Sequence, residues 1–127
     1  MYSKEVMKRF TNPKYSGEIK NADAVGQEGN VKCGDIMKIF LKIDDNCKIK
    51  DIKFQTYGCM AAIAASDAMC DLAKGKTLDQ ALKIKFSDIV KELKDLPKIK
   101  VHCSVLGTKA LKNAIENYNK RSKCLKK

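Results

Sequence analysis

Ile36-Met37-Lys38-Ile39-Phe40-Leu41-Lys42-Ile43, then Asp44-Asp45-Asn46, then Asp51-Ile52-Lys53-Phe54-Gln55-Thr56 is the stretch on which the fold turns. Met37, Ile39, Leu41 and Ile43 fall on one face of an extended chain and Lys38 and Lys42 on the other, the two-residue period of a half-buried strand. Asp44-Asp45-Asn46 carries turn chemistry. Ile52, Phe54 and Thr56 then alternate with Asp51, Lys53 and Gln55 as a second strand. Two such runs around a short polar turn predict an antiparallel hairpin. The stretch before Cys33 is expected to add a third strand.

Outward from the hairpin the period changes. Tyr2, Val6 and Phe10 recur every four residues and predict a short amphipathic helix that Asn12-Pro13 ends. After Gly58, Met60 to Lys74 is rich in Ala, Met and Leu, and Gly75 is a natural helix stop. Thr77-Leu78-Asp79-Gln80 matches a capping box and opens another short helix. Ile89, Val90 and Leu93 mark a further helical piece, broken by Pro97. A last helix is expected from about Ile99 to Tyr118, with Leu111, Ile115 and Tyr118 on one stripe and Gly107 weakening it by up to ~1 kcal/mol. Strands followed by helices predict an α+β fold: a small antiparallel sheet of about three strands with helices packed on one face.

The chain has 127 residues, 44% hydrophobic and 32% charged, which suits one domain over 1–127 with a core and excludes a disordered chain. The longest apolar stretch, Cys59 to Ala65, is far short of the roughly 20 residues of a membrane span. The N-terminus, Met1 to Phe10, is charged where an export signal needs an apolar block, so a soluble, cytoplasmic protein is expected. The net charge of +11 is uneven. Residues 98–127 hold nine Lys and Arg against Glu116 alone, while residues 1–30 are nearly balanced. That basic end, including a tail over about 119–127, reads first as a solvated helix end whose cations suit the helix dipole. Few aromatics interleave with it, so nucleic-acid binding is not expected.

Six cysteines require an explanation: Cys33, Cys47, Cys59, Cys70, Cys103 and Cys124. In a reducing compartment a disulfide framework is not expected. Cys33, Cys59 and Cys103 lie at junctions between predicted elements, where ligands can converge without disturbing a core. Cys33 and Asp35 are two apart and point the same way in extended chain. Cys59 near a helix N-terminus meets the positive end of the dipole, which favours thiolate. Lys100 and Cys103 are three apart on one helical face, and a nearby ammonium lowers a thiol pKa. His102 is the only histidine. Spacing alone does not choose zinc over iron. The absence of any Cys-x-x-Cys pair argues against a zinc ribbon or a thioredoxin-like motif. Cys47 beside the turn and Cys70 within a helix read as structural, and Cys124 as an exposed thiol.

Several longer motifs carry a resemblance. They are Cys33-Gly34-Asp35-Ile36-Met37-Lys38, Thr56-Tyr57-Gly58-Cys59 with its Ala-rich helix, Lys74-Gly75-Lys76-Thr77-Leu78, and Leu96-Pro97-Lys98-Ile99-Lys100-Val101-His102-Cys103-Ser104. With Asn12-Pro13-Lys14 they make the chain, from about residue 2 to 121, similar to the U-type iron–sulfur cluster scaffolds, the IscU and NifU N-terminal domain family. The resemblance implies a cluster site of Cys33, Cys59 and Cys103 with Asp35 and His102, the fourth ligand being either of the last two. It implies Cys103 as the acceptor of persulfide sulfur, with Lys100 beside it.

The implied function is assembly of a transient cluster, usually 2Fe-2S, from Fe2+ and sulfur delivered by a cysteine desulfurase. The cluster then passes to apo-acceptor proteins, from a monomer or a cluster-bridged homodimer. Zn2+ fits the same donor set in the isolated protein. A zinc-bound sulfur acceptor serving a desulfurase is therefore the rival to a scaffold that turns nothing over. Lys98 stands where bacterial members carry a second proline in the motif read by an Hsp70-type chaperone, a departure that weighs against that partner. His102 and the short Cys59-to-Cys103 segment weigh against the SufU branch.

Overall fold

The computed structural model describes residues 3–30, 35–56, 60–93 and 102–122. The hairpin is present: β2 (Asp35–Ile43) pairs antiparallel with β3 (Ile49–Thr56). β1 (Ala24–Asn30) supplies the third strand and gives the order β1-β2-β3. Its partners run from Ala24 opposite Leu41 to Asn30 opposite Asp35. Met37, Ile39, Leu41, Ile52 and Phe54 are buried on the inner face, as the alternation predicts. Ile43 is only partly buried, because the ladder slips between Lys42 and Ile43. Phe40 points the opposite way yet is buried; the Lys38 ammonium lies 5.6 Å from its ring centre. Asp44 organises the turn by accepting the backbone N–H of Asn46 and of Lys48 at 2.9 Å each.

Helices cover the inner face. α1 (Lys4–Thr11) is capped by Ser3, whose hydroxyl accepts the N–H of Val6 at 3.1 Å. α2 (Met60–Ala73) and α5 (His102–Ser122) pack on the sheet with Ala62, Ala65, Met69, Ala110, Leu111, Ala114 and Ile115 buried. α3 (Leu78–Ala81) has the predicted capping box: the Thr77 hydroxyl accepts from Gln80 N and the Gln80 side chain accepts from Thr77 N. α4 (Phe86–Glu92) buries Ile89 and is followed by buried Leu93. Gly75 after α2 sits at φ +87°, a left-handed stop that a residue without Cβ adopts without strain. Among the described residues no helix is long and apolar enough to cross a membrane.

Two expectations need correction. On α1 the buried stripe is Val6 and Arg9, while Phe10 is 38% exposed. The four-residue spacing marked a face correctly at Val6, but a charged side chain with acidic partners on α2 and α4 displaced the aromatic from the interface. Cys47, expected as one thiol of a reduced set, is disulfide-bonded, with its partner outside the described side chains. Compartment was the basis of the expectation, and compartment is blind to which distant cysteines the topology brings together. Cys70 is free and buried, in keeping with a structural role.

Candidate functional site

The direction of each element decides which ends meet. α5 lies along β1 in the opposite sense. Asn117 donates to the Val25 carbonyl at 2.8 Å, and Asn113, one turn earlier, donates to the Gln27 carbonyl at 3.1 Å. The approach is close because Gly26 faces the backbone of Ala110 and Ala114. The N-terminal end of α5 therefore points toward the Asn30–Asp35 end of the hairpin. α2 runs back along β3. It begins four residues after Thr56, and just past its end Gly75 N donates to the Ile49 carbonyl at 2.9 Å. Thr56 in turn stands opposite Met37, and its hydroxyl donates to the Ile36 carbonyl at 2.7 Å.

One end of the molecule thus gathers the start of β2, the end of β3 and the N-termini of α2 and α5. Of the anticipated site residues, Asp35 opens β2, and His102 and Cys103 open α5; these are described at the backbone only. Cys33, Cys59 and Lys100 lie outside the described residues, in the segments that precede β2, α2 and α5. Two helices of 14 and 21 residues aim their N-termini at one end and contribute two positive dipole ends there. That electrostatic setting favours thiolates and an anionic ligand.

Beneath this end the floor is thioether. A methyl group at Gly107 would lie 3.6 Å from Met37 Sδ and 3.7 Å from Met69 Sδ. The Ser66 hydroxyl donates to the Ala62 carbonyl at 2.7 Å and lies 3.2 Å from Met37 Sδ. Met37 is buried two residues after the start of β2, so this sulfur-lined floor lies close to that end of the sheet. Met37 was legible in the strand period; its meeting with Met69 and Gly107 depends on helix packing that one sequence does not disclose.

A second polar cluster escaped the sequence reading. Arg9, 8% exposed, pairs with Glu5 at 2.8 Å, Asp67 at 2.8 Å, Asp71 at 3.0 Å and Glu92 at 3.1 Å. Asp67, 2% exposed, also accepts the Tyr15 N–H at 2.8 Å, and Asp71 accepts the Tyr15 hydroxyl at 3.1 Å. Burial opposes ionisation of Asp71, but the bonds from Arg9 and Tyr15 prevail and hold its pKa below the usual carboxylate value. Burial and the hydrogen bond with Asp71 push Tyr15 up to about 12. The Cys70 thiol, fully buried beside Asp67, is pushed well above its ordinary value, first by burial, which keeps it unreactive. These carboxylates are engaged by Arg9. Among the described residues no group of three or more His, Cys, Asp or Glu side chains is arranged to hold a metal ion.

Comparison with known proteins agrees with the geometry. The model of the NifU-like N terminal domain family matches residues 1–125. Iron-sulfur cluster assembly scaffold protein IscU 1 of Archaeoglobus fulgidus is 49% identical over 122 residues, 96% of this chain and 79% of that protein. The scaffold protein IscU of Haemophilus influenzae is 44% identical over 120 residues, 92% of this chain and 94% of that one. Among solved structures, a putative iron-sulfur cluster assembly scaffold protein for the SUF system from Fervidobacterium islandicum superposes with a TM-score of 0.74 at 27% identity, covering 90% of this chain and 96% of that chain.

Proposed function

The chain belongs to the NifU-like N-terminal domain family, and from that premise we propose that it is a scaffold on which an iron–sulfur cluster is assembled and from which it is passed on. The observation that carries the reading is the meeting of the start of β2, the end of β3 and the N-termini of α2 and α5 at one end. Each of the segments that bear Cys33, Cys59 and Cys103 is tied to that end.

Cys33, Cys59 and Cys103 hold the cluster, with Asp35 or His102 as the fourth ligand. Thiolates are soft donors matched to iron and sulfide, and a carboxylate is harder and exchanges more readily. A ferric cluster of two irons and two sulfides carries +2. Three thiolates and one carboxylate bring the assembly to −2, an anion that two helix N-termini and Lys100 stabilise. One hard corner in a soft set makes a grip that opens, as a carrier needs. Cys103 accepts sulfur: its thiolate attacks the outer sulfur of a donor persulfide and releases the donor thiolate, with the Lys100 ammonium keeping Cys103 ionised.

The substrates are Fe2+ and desulfurase-derived sulfur, and the recipients are apo-proteins that need a cluster. The cytoplasm is the compartment, and no turnover chemistry beyond assembly is required. Zn2+ occupies the same donors in tetrahedral form when iron is absent.

Transfer kinetics test this reading. Cluster-loaded wild type and Asp35→Ala are mixed with an apo-ferredoxin and transfer is followed by circular dichroism. A changed release rate in Asp35→Ala supports the mixed-ligand grip, and an unchanged rate removes Asp35 from it. Zinc that ferrous iron cannot displace under anaerobic conditions would transfer the assignment to the sulfur-acceptor alternative.

A further inference from the structure

The stretch Leu82-Lys83-Ile84-Lys85-Phe86 leads from α3 into α4 and alternates apolar and basic side chains. Together with Lys112 of α5 it lines a groove of about 400 Å³. Leu82, Ile84 and Phe86 supply its apolar lining and Lys83, Lys85 and Lys112 its cations, and no carboxylate lines it. A neighbouring groove that shares Ile84 is balanced instead: Lys76 and Lys91 there are matched by Asp88 and Glu92. Phe86 is 46% exposed, the most exposed large apolar side chain among the described residues. Of the three lysines only Lys83 has an ion pair among the described residues, with Asp79 at 3.9 Å. Both members of that pair are open to water, where such a contact holds weakly.

The wall that carries these side chains is pinned at four consecutive backbone N–H groups. Leu82 donates to the Leu78 carbonyl at 3.1 Å, Lys83 to the Gln80 carbonyl at 3.1 Å and Ile84 to the Ala81 carbonyl at 3.2 Å. Lys85 donates to the Asp88 carboxylate at 3.0 Å. A wall fixed in advance spares a partner the cost of ordering it.

We propose that this groove docks an acidic segment of a partner protein. An apolar side chain of the segment packs on Ile84 and Phe86, and its flanking carboxylates meet Lys83, Lys85 and Lys112. Charge chooses the occupant. A second copy of this chain brings the same net charge of +11 and the same lysine rim, and is repelled. A nucleic-acid strand brings phosphates but binds by stacking bases on aromatic faces, and Phe86 is the one ring in a lining otherwise aliphatic and basic. A leucine or phenylalanine between carboxylates satisfies both halves of the lining. Lys112 lies ten residues after His102, about 15 Å along the axis of α5, so the docked partner stands beside the helix that leads to the candidate site. The groove needs no metal, so it stands or falls separately from the cluster site.

Fluorescence anisotropy on the full chain without iron tests the docking. The probe is a fluorescein-labelled peptide with a central leucine-phenylalanine pair flanked by glutamates. Saturable binding that weakens as NaCl is raised is expected. Phe86→Ala, which removes no charge, is expected to weaken it by about tenfold. Lys85→Ala with Lys112→Ala is expected to weaken it by about fivefold. Lys20→Ala with Lys50→Ala removes as much charge from exposed lysines outside the groove and is expected to cost less than about twofold. Should Phe86→Ala lose the wild-type circular dichroism spectrum, the two lysine pairs decide the matter. The proposal is overturned by no saturable binding, by equal binding of a peptide with serines in place of its apolar pair, or by equal losses in the two lysine pairs. Tighter, Phe86-dependent binding of an oligothymidylate of matching charge would hand the groove to nucleic acid, and a dimer in sedimentation that Phe86→Ala dissolves would hand it to a second copy; either result overturns it too.

Discussion

Two helices are attached to this sheet-and-helix body by opposite means. α5 meets β1 through missing side chains: Gly26 lets the Ala110 and Ala114 backbone come so close that an added Cβ would sit 2.3 Å from Ala114 N. α1 meets α2 and α4 through charge: one buried guanidinium gathers Glu5, Asp67, Asp71 and Glu92. The first seam is made of rigid backbone and has no room to adjust. The second is made of side chains and responds to pH and salt. The rigid seam is the one that aims the N-terminus of α5, where His102 and Cys103 lie, at the candidate site.

The largest effect is expected at the rigid seam. Gly26→Ala places a methyl group against backbone atoms on the facing helix, so α5 must lift. A loss of about 4 kcal/mol is expected in urea denaturation, or a chain that does not fold. An unaffected midpoint would show that the seam is looser than its distances. At the charged seam, Arg9→Ala leaves Asp67 buried without its cation, with an expected loss of about 3 kcal/mol and a restored midpoint when Asp67→Asn is added.

The pH dependence sharpens the contrast. The Asp71 pKa is lower folded than unfolded, so its contribution is complete above the unfolded carboxylate value of about 3.9. That contribution is lost as pH falls through the folded value. Asp71→Asn is expected to flatten that part of the acid limb of a stability profile, and Gly26 variants to leave its shape alone. The Tyr15 pKa is raised to about 12, so stability also declines above pH ~10 as the unfolded chain ionises first. The smallest effect has the opposite sign. Gly107 lies inside α5 where a Cβ meets only Met37 and Met69 side-chain atoms at 3.6 Å or more. Gly107→Ala is expected to stabilise by up to about 1 kcal/mol, read as a higher urea midpoint. Two glycines, one on β1 facing α5 and one within α5 facing Met37 and Met69, would then answer the same substitution with opposite signs.

Local patterns were readable where the residue itself carries the information. The Met37-to-Ile43 alternation, the Thr77–Gln80 box and the Gly75 stop each act within a few residues, and each is present in the structure. β1 was legible only as a position before Cys33, because Ala24-Val25-Gly26-Gln27-Glu28-Gly29-Asn30 has glycines where a strand period would show. The purpose of Gly26 appears only once α5 is laid against it. Arg9 reads as a surface charge until Asp67 and Asp71, 58 and 62 residues away, are brought to it. The pairing state of Cys47 is of the same kind. At the candidate site the residue types and their placement at junctions were readable, and the descent of three junctions on one end follows from strand order and helix direction.

Anaerobic reconstitution with ferrous iron and sulfide, followed by absorption and Mössbauer spectra, tests the central claim most directly when run on the wild type and on single alanine replacements of all six cysteines. The account predicts a cluster chromophore in the wild type that survives replacement of Cys47, Cys70 or Cys124 and is lost or destabilised on replacement of Cys33, Cys59 or Cys103. A chromophore indifferent to those three, or none in the folded wild-type chain, would contradict it.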